Sequence, residues 1–266
     1  MEQNKKSSSF ASIFASLVIV LALVASFLIY FNLMGNAANF EGGDAVNGHP
    51  KNALGIVYKG GIIVPILMAC AIITISVSIE RFITLTVANG KSNLETFVRN
   101  VKIQLSGNNI NGAIAACEEQ KGSIGNAIGS VLHKYVQVQK DSQFNKEQKL
   151  AAIDKELEEA TQLEMPALNR NLAILSTLGS VATLIALLGT VLGMIKSFQA
   201  MGDGGGADPA KLSVGISEAL INTALGIGTS AVAIIAYNYF QAKIDSISYR
   251  IEEAGMSIKQ TFSSNN

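Results

Sequence analysis

The pattern of apolar residues divides the chain into long uncharged segments on either side of a polar middle. Phe10–Met34 and Gly60–Ile79 contain no charged residue, and most of Leu172–Ala242 is also apolar. A helix needs about 20 apolar residues to cross the hydrocarbon core of a bilayer. Leu172–Ala242 is long enough for two such helices, because the Gly-rich break Met201–Pro209 divides it. The pattern therefore predicts four membrane-spanning helices, the last two forming an antiparallel hairpin.

The polar segment 84–170 and the final segment 243–266 carry apolar residues three and four positions apart, which is typical of amphipathic helices. These positions are Phe97, Val101, Leu105, Ile128, Val131, Leu132, Tyr135, Leu150, Ile153, Leu157, Ala160, Ile244, Ile247, Ile251, Ala254 and Ile258. Helix breaks are expected at Asn108–Asn109 and Gly122–Ser123, and Pro166 is a candidate for a kink. The predicted fold class is all-α: a polytopic membrane protein with four transmembrane helices and long helices that extend into a helical cytoplasmic region.

Basic residues predict the orientation of the spans, because lysine and arginine flank membrane helices on the cytoplasmic side. The predicted domains are a cytoplasmic N-terminus (1–9), an extra transmembrane helix (10–34), a periplasmic loop (35–60), a transmembrane helix (61–83), a cytoplasmic helical region (84–170), the transmembrane hairpin (171–242) and a cytoplasmic C-terminal helix (243–266). Glu80 and Arg81 mark the membrane exit of the second span. A cleaved signal peptide is the alternative for 10–34, but its apolar region typically has only about 7–15 residues. The length therefore favours a retained helix.

The composition narrows the class of protein further. The chain has 266 residues, 15% of them charged, no tryptophan and a formal net charge of zero, with a mean hydropathy of +0.35. This composition predicts a membrane-lipid environment and makes nucleic acid an unexpected partner. Cys70 and Cys117 form no CxxC motif or ligand cluster, so neither a metal nor another cofactor is expected. The sequence has no phosphate-binding loop and no Ser/His/Asp or Cys/His set, which makes an enzyme the least expected class.

The hairpin carries hydroxyl and charged residues at matching positions. If the chain turns near Gly206, Thr190 and Thr223 lie at one depth, and Lys196 lies level with Glu218 about one to two turns nearer the turn. Such residues can handle protons, because hydroxyls order water and a carboxylate attracts or holds a proton. Helix packing is the alternative explanation for each threonine, and an ion pair with Lys196 is the alternative for Glu218.

Small residues also recur along both hairpin helices and predict close helix contacts. Those singled out as packing positions are Gly189, Gly193, Gly226 and Ser230. The small-residue stripes are longer than one hairpin contact requires. We therefore expect some of them to pack between subunits of a homo-oligomer.

At these residues the chain resembles the MotA/TolQ/ExbB proton-channel family, and most closely its ExbB (biopolymer transport) members. The resemblance rests on Leu187–Met194, LLGTVLGM, and Gly215–Gly226, GISEALINTALG. Tyr237–Asn238 and Ile79–Phe82 also fit, and the order of segments agrees from about Gly61 onward. Each motif alone is weak, but the two hairpin motifs together, in two membrane helices, are a specific combination.

The resemblance implies a multi-pass protein of the bacterial inner membrane that uses proton-motive force. It implies a homopentamer around a single-span ExbD-like protein, with a TonB-like protein passing mechanical work to the outer membrane. The titrating aspartate would belong to the ExbD-like partner, and Thr190, Thr223 and Glu218 match positions of the proton pathway. Two features depart from the family pattern: Val232 stands where a proline is frequent, and residues 10–34 add a fourth span. A TolQ-like protein, a motility stator and, from a different class, a non-conducting tetraspan scaffold are the alternatives.

Overall fold

The computed structural model describes residues 16–45, 48–202 and 209–265, and these residues are predominantly helical. The helices are α1 (Ser16–Met34), α2 (Ala53–Tyr58), α3 (Ile63–Asn89), α4 (Leu94–Ser106), α5 (Ile110–Gln120), α6 (Gly122–Lys140), α7 (Lys146–Asn169), α8 (Leu172–Gly202) and α9 (Pro209–Asn265). Within those ranges there is no strand, only an isolated bridge between Phe40 and Pro50. Four helices, α1, α3, α8 and α9, are long and apolar enough to cross a membrane. The predicted all-α fold class is confirmed.

Some predicted features fall outside the described residues, namely the first part of the segment 10–34 and the turn expected near Gly206. The predicted break at Asn108–Asn109 is confirmed, because Asn108 lies between α4 and α5 with a positive φ angle of 54°. The second break lies at Lys121, with a φ of 58°, one residue before the predicted Gly122–Ser123, where α6 already begins. Pro166 lies inside α7, which runs on to Asn169 as one helix.

The segment between α1 and α3 is more ordered than its Gly- and Asn-rich composition suggests. Asn39 is buried, and its Nδ2 donates hydrogen bonds to the carbonyls of Leu33, at 2.7 Å, and Met34, at 2.9 Å. The Tyr30 hydroxyl donates to the Tyr58 carbonyl at 3.0 Å, and the two rings stack with centroids 4.6 Å apart. These contacts fix the loop and α2 to the end of α1.

The first compact unit contains the described residues up to Ile79 together with Ala173–Tyr237. Two buried clusters hold it together. Tyr30, Met34 and Val64 pack with partly buried residues of α2 and α9, and Ile63, Leu67 and Ala186 pack with residues of α3, α8 and α9. The first cluster therefore joins α1, α2, α3 and α9, and the second joins α3, α8 and α9.

The second compact unit contains Glu80–Leu172 and the described residues from Asn238 onward. Its core is built from the predicted amphipathic stripes, and residues that are fully buried include Val101, Ile128, Leu132, Ile153, Ile244, Ile247, Ile251, Ile258 and Phe262. Phe262 meets the ring of Tyr135 edge-on, with centroids 4.9 Å apart. Around this core, the ion pairs Lys102–Glu253, at 2.7 Å, and Lys259–Asp154, at 2.6 Å, connect α9 to α4 and α7. The predicted C-terminal amphipathic helix thus packs on the helices of the polar region.

Glu80 and Arg81, predicted at the membrane exit, form a hydrogen-bonded network in this second unit, in which Arg81 is buried and Glu80 is half-buried. Arg81 is 1% exposed and donates from Nε to Glu80 Oε2 at 2.6 Å. Its Nη1 also donates to the carbonyls of Ala167, at 3.4 Å, and Leu168, at 3.3 Å. Those carbonyls belong to the last turn of α7, where the helix dipole favours a positive charge. Arg81 therefore compensates the C-terminus of α7.

Candidate functional site

Helices α8 and α9 approach closely along the small residues that the sequence singled out. A Cβ atom added to any of the three glycines would come too near the opposite helix, and the serine hydroxyl donates to a carbonyl across the contact. The residues in contact are Gly189 with Asn222, Gly193 with Gly215, Gly226 with Ala186, and Ser230 with Gly179. This contact holds the polar side chains of the two helices in a fixed register.

Thr190 and Thr223 meet across this contact, with 2.6 Å between their Oγ1 atoms. Each hydroxyl also lies 3.0 Å from the carbonyl of the residue four positions earlier, Ala186 or Ala219. The two hydroxyls have two protons for these three contacts. One threonine therefore donates to the other, and the acceptor donates to its own helix. Two orientations are possible, and they point the hydrogen-bonded chain in opposite directions.

The two threonines of the pair are half-buried. A hydroxyl oxygen accepts up to two hydrogen bonds, which leaves acceptor capacity for water or a partner's donor. The arrangement can thus pass a hydrogen bond between the helices and reverse its direction. It has no acidic group of its own.

Glu218 and Lys196 form an ion pair in the same hairpin. Lys196 Nζ lies 2.7 Å from Glu218 Oε1 and 2.8 Å from Oε2. The two partners differ in burial, because the side chain of Glu218 is 8% exposed and that of Lys196 is 56% exposed. The structure therefore brings together both pairs that the sequence placed at equal depth, although their roles stay predictions.

Sequence reasoning did not include a third component, the turn formed by Gly60 and Gly61 before α3. A Cβ atom at Gly61 would overlap the carboxylate of Glu218, so the backbone of the turn lies directly against it. Asn222 Nδ2 donates to the Gly60 carbonyl at 3.0 Å, and Asn222 is completely buried. The sequence offered two signals for this component: paired glycines beside an apolar helix, and an amide within an apolar segment.

The outward faces of the hairpin carry polar and small residues as well. On α8, Ser176 and Ser180 are exposed, and on α9 an exposed small-residue stripe consists of Ala224, Gly228 and Ala231. The glycines of α8 in the hairpin contact pack against α9 within the chain, so they are not free for the expected contacts between subunits. The exposed residues that could make such contacts are the small-residue stripe of α9 and the two serines of α8.

Comparison with known proteins gives matches in this part of the chain. The family model described as MotA/TolQ/ExbB proton channel family matches residues 124–253, which include the threonine pair, the ion pair and Asn222. The chain is 44% identical over 81 residues to the biopolymer transport protein ExbB of Helicobacter pylori, covering 30% of this chain and 56% of that protein. It is 38% identical over 88 residues to the Tol-Pal system protein TolQ of Pseudomonas aeruginosa, covering 33% and 38%. The ExbB protein of Xanthomonas campestris is 33% identical over 94 residues, covering 35% and 37%. Each match thus spans from about a third to just over half of the relative's length.

Proposed function

The chain belongs to the MotA/TolQ/ExbB proton channel family, and on that premise we propose that it is an ExbB-like stator subunit. In this proposal it works with an ExbD-like single-span protein in the inner membrane and converts proton-motive force into mechanical work. A TonB-like protein would carry that work to outer-membrane transport. The observation that carries the proposal is the contact between Thr190 and Thr223, a hydrogen-bonded pair in the same hairpin as the buried carboxylate of Glu218.

The need for a partner follows from the chemistry of the hairpin. Its two apolar segments contain one carboxylate, Glu218, and both oxygens of that carboxylate are engaged by Lys196. The ion pair therefore leaves these two segments without a second, unpaired carboxylate. In this proposal the ExbD-like partner supplies the group that titrates, as the family resemblance implies, and Thr190 and Thr223 stabilise water or the protonated group beside it. One charge crossing 100 mV releases about 2.3 kcal/mol, so a few protons supply useful work.

The proposal includes a homo-oligomer, most simply a pentamer. Exposed hydroxyls such as Ser176 and Ser180 are poorly suited to lipid, and the stripe Ala224, Gly228 and Ala231 permits close helix contact. Both features favour additional helices packed on the outside of the hairpin. The number of subunits rests on the family alone.

A TolQ-like role is the second candidate, favoured by the similarity to TolQ of Pseudomonas aeruginosa. Both candidates use the same hairpin chemistry and differ in the partner that receives the work. A motility stator would differ in the same way, whereas a non-conducting scaffold would assemble partners without passing protons.

Proton flux in vesicles tests the proposed function. We expect vesicles containing the chain and its single-span partner to acidify when a membrane potential is imposed, and vesicles containing either protein alone to remain tight. The internal pH is followed with a fluorescent dye, and the native mass of the same complex gives its subunit number. A complex that assembles from both proteins but passes no protons would support the scaffold instead.

The proposed orientation is tested by cysteine labelling from outside the cell. We expect a membrane-impermeant maleimide to label Ala38→Cys, whose position is exposed, and to label Lys155→Cys only after lysis. Asn39→Cys is a matched control, because position 39 is buried in the same loop. Background is low, since Cys70 and Cys117 are buried and burial raises the pKa of the Cys117 thiol to about 12. Labelling of Lys155→Cys in intact cells would contradict the proposed orientation.

A further inference from the structure

We propose that Asn222 is a positioning residue: its hydrogen bond to Gly60 holds the Gly60–Gly61 turn against Glu218 and closes access to the carboxylate from the side of the 35–60 loop. The proposal rests on the proposed function only in assigning Glu218 to the proton pathway. Its geometry stands on contacts within the first compact unit.

The orientation of the Asn222 amide is fixed by its neighbours. The Gly60 carbonyl can only accept a hydrogen bond, so the amide nitrogen must face it. On another side, Asn222 packs against Gly189, where even a Cβ atom would come within 2.8 Å of the amide. The side chain is 0% exposed and has little room to choose another conformation.

Burying the Asn222 amide within a membrane helix costs free energy unless hydrogen bonds offset its desolvation. A buried polar group without a hydrogen bond destabilises a protein, and a membrane helix provides no bulk water to satisfy it. The Oδ1 atom of Asn222 has no hydrogen-bond partner within residues 16–45, 48–202 and 209–265. The bond from Nδ2 to Gly60 is therefore the contact that offsets the burial of the amide.

The turn, rather than Lys196, covers the carboxylate on this side. Gly61 has a φ of +77°, in the left-handed region that favours glycine, and this conformation lays the backbone on Glu218 with no space for a Cβ atom. Lys196 Nζ also contacts both carboxylate oxygens, but its side chain is 56% exposed, whereas the turn is held in place by the hydrogen bond from Asn222. Access to Glu218 from the loop side therefore requires the turn to move.

The other end of the turn is fixed by residues that precede the family match. Tyr30 of α1 donates to the Tyr58 carbonyl and belongs to the apolar cluster that includes Ile221 and Leu225 of α9. Tyr30, Tyr58 and the Gly60–Gly61 turn lie outside the matched residues 124–253, whereas Ile221 and Leu225 lie within them. The turn that lies against Glu218 thus belongs to a part of the chain that the family model does not match.

Chemical modification of Glu218 tests the proposal. The full chain is expressed with its partner, and intact spheroplasts are treated with a water-soluble, cationic carbodiimide and glycine ethyl ester. A carboxyl group that the carbodiimide reaches is activated and then converted to an amide by the added amine or, at Glu218, by the neighbouring Lys196 amine, while the carbodiimide leaves as its urea; both amides are counted. Mass spectrometry of peptides gives the rate for Glu218, with the exposed Glu41 of the loop as an internal reference. The variants are Asn222→Ala and Gly61→Ala. Ser230→Ala is the matched control, because Ser230 also donates from α9 to a glycine carbonyl but does not contact the turn.

We expect Asn222→Ala to raise the rate at Glu218 relative to Glu41 by about five- to tenfold, which corresponds to the loss of one buried hydrogen bond. Gly61→Ala should raise the rate as well, since its side chain forces the turn away from the carboxylate. Ser230→Ala should leave it unchanged. Equal rates for Asn222→Ala and Ser230→Ala, at equal amounts of protein, would overturn the proposal. Because labelling requires no proton flux, a complex that fails to conduct would refute the proposed function without changing this outcome.

Discussion

Replacing either threonine of the hairpin contact with valine is expected to reduce partner-dependent proton flux to the level of vesicles that lack the partner. Thr190→Val and Thr223→Val each keep the branched shape and remove one hydroxyl. The remaining hydroxyl can then donate to its own helix, and no hydrogen bond crosses between the helices. A polar contact of this kind between membrane helices stabilises by only about 0.6 kcal/mol on average, so assembly should be nearly unchanged. Loss of flux without loss of assembly separates conduction from packing.

Thr177 provides a matched control for these variants. It lies on α8, and its hydroxyl donates to the Ala173 carbonyl at 2.7 Å, the same four-residue contact that Thr190 makes with Ala186. Thr177→Val should therefore leave flux unchanged, and Thr190→Ser, which restores the hydroxyl, should retain most of it. Flux is measured in vesicles of equal subunit content. Normal flux in both valine variants would remove the threonine pair from the mechanism.

The meeting of these threonines could be predicted because an antiparallel hairpin with a short turn has a nearly fixed register. Residues equally distant from the turn lie at the same depth, since each helical residue rises about 1.5 Å. The same argument placed Lys196 level with Glu218. To predict both pairs it was enough to know that the two segments are helical and where the chain turns between them.

The Gly60–Gly61 turn could not be predicted in this way. Asn222 and Gly60 are 162 positions apart, and no periodicity in the sequence encodes which turn docks on which helix. The order of the loop has a similar origin, because the two hydrogen bonds from Asn39 depend on how α1 ends. A Gly- and Asn-rich composition predicts turns but does not show where they pack.

The small residues of α8 illustrate a related limit. A stripe of glycine and alanine indicates close helix packing, but the same chemistry serves contacts within a chain and contacts between chains. The structure assigns Gly179, Gly189 and Gly193 to the contact with α9. In the polar region 84–170 the buried face of each helix could be predicted, because charged residues occupy the other faces and keep them in solvent.

The ion pair should respond asymmetrically to the loss of its partners. Lys196→Met leaves the buried Glu218 carboxylate without its counter-charge, which is unfavourable because a buried charge needs a partner. Glu218→Gln leaves a lysine whose flexible, largely exposed side chain can carry its charge to water. We therefore expect Lys196→Met to lower the amount of assembled complex strongly and Glu218→Gln to lower it little.

The double variant Lys196→Met/Glu218→Gln then separates stability from conduction. It removes both charges together, so the amount of assembled complex should recover to near that of Glu218→Gln. Proton flux per complex should stay low in both variants, because both lack the Glu218 carboxylate that is proposed to belong to the proton pathway. The assembled amount is measured by native mass or quantitative blotting, and the flux in vesicles of equal subunit content. If the double variant regained normal flux, the pair would hold the hairpin together without serving the proton pathway, and the carboxylate that matters would lie entirely on the partner.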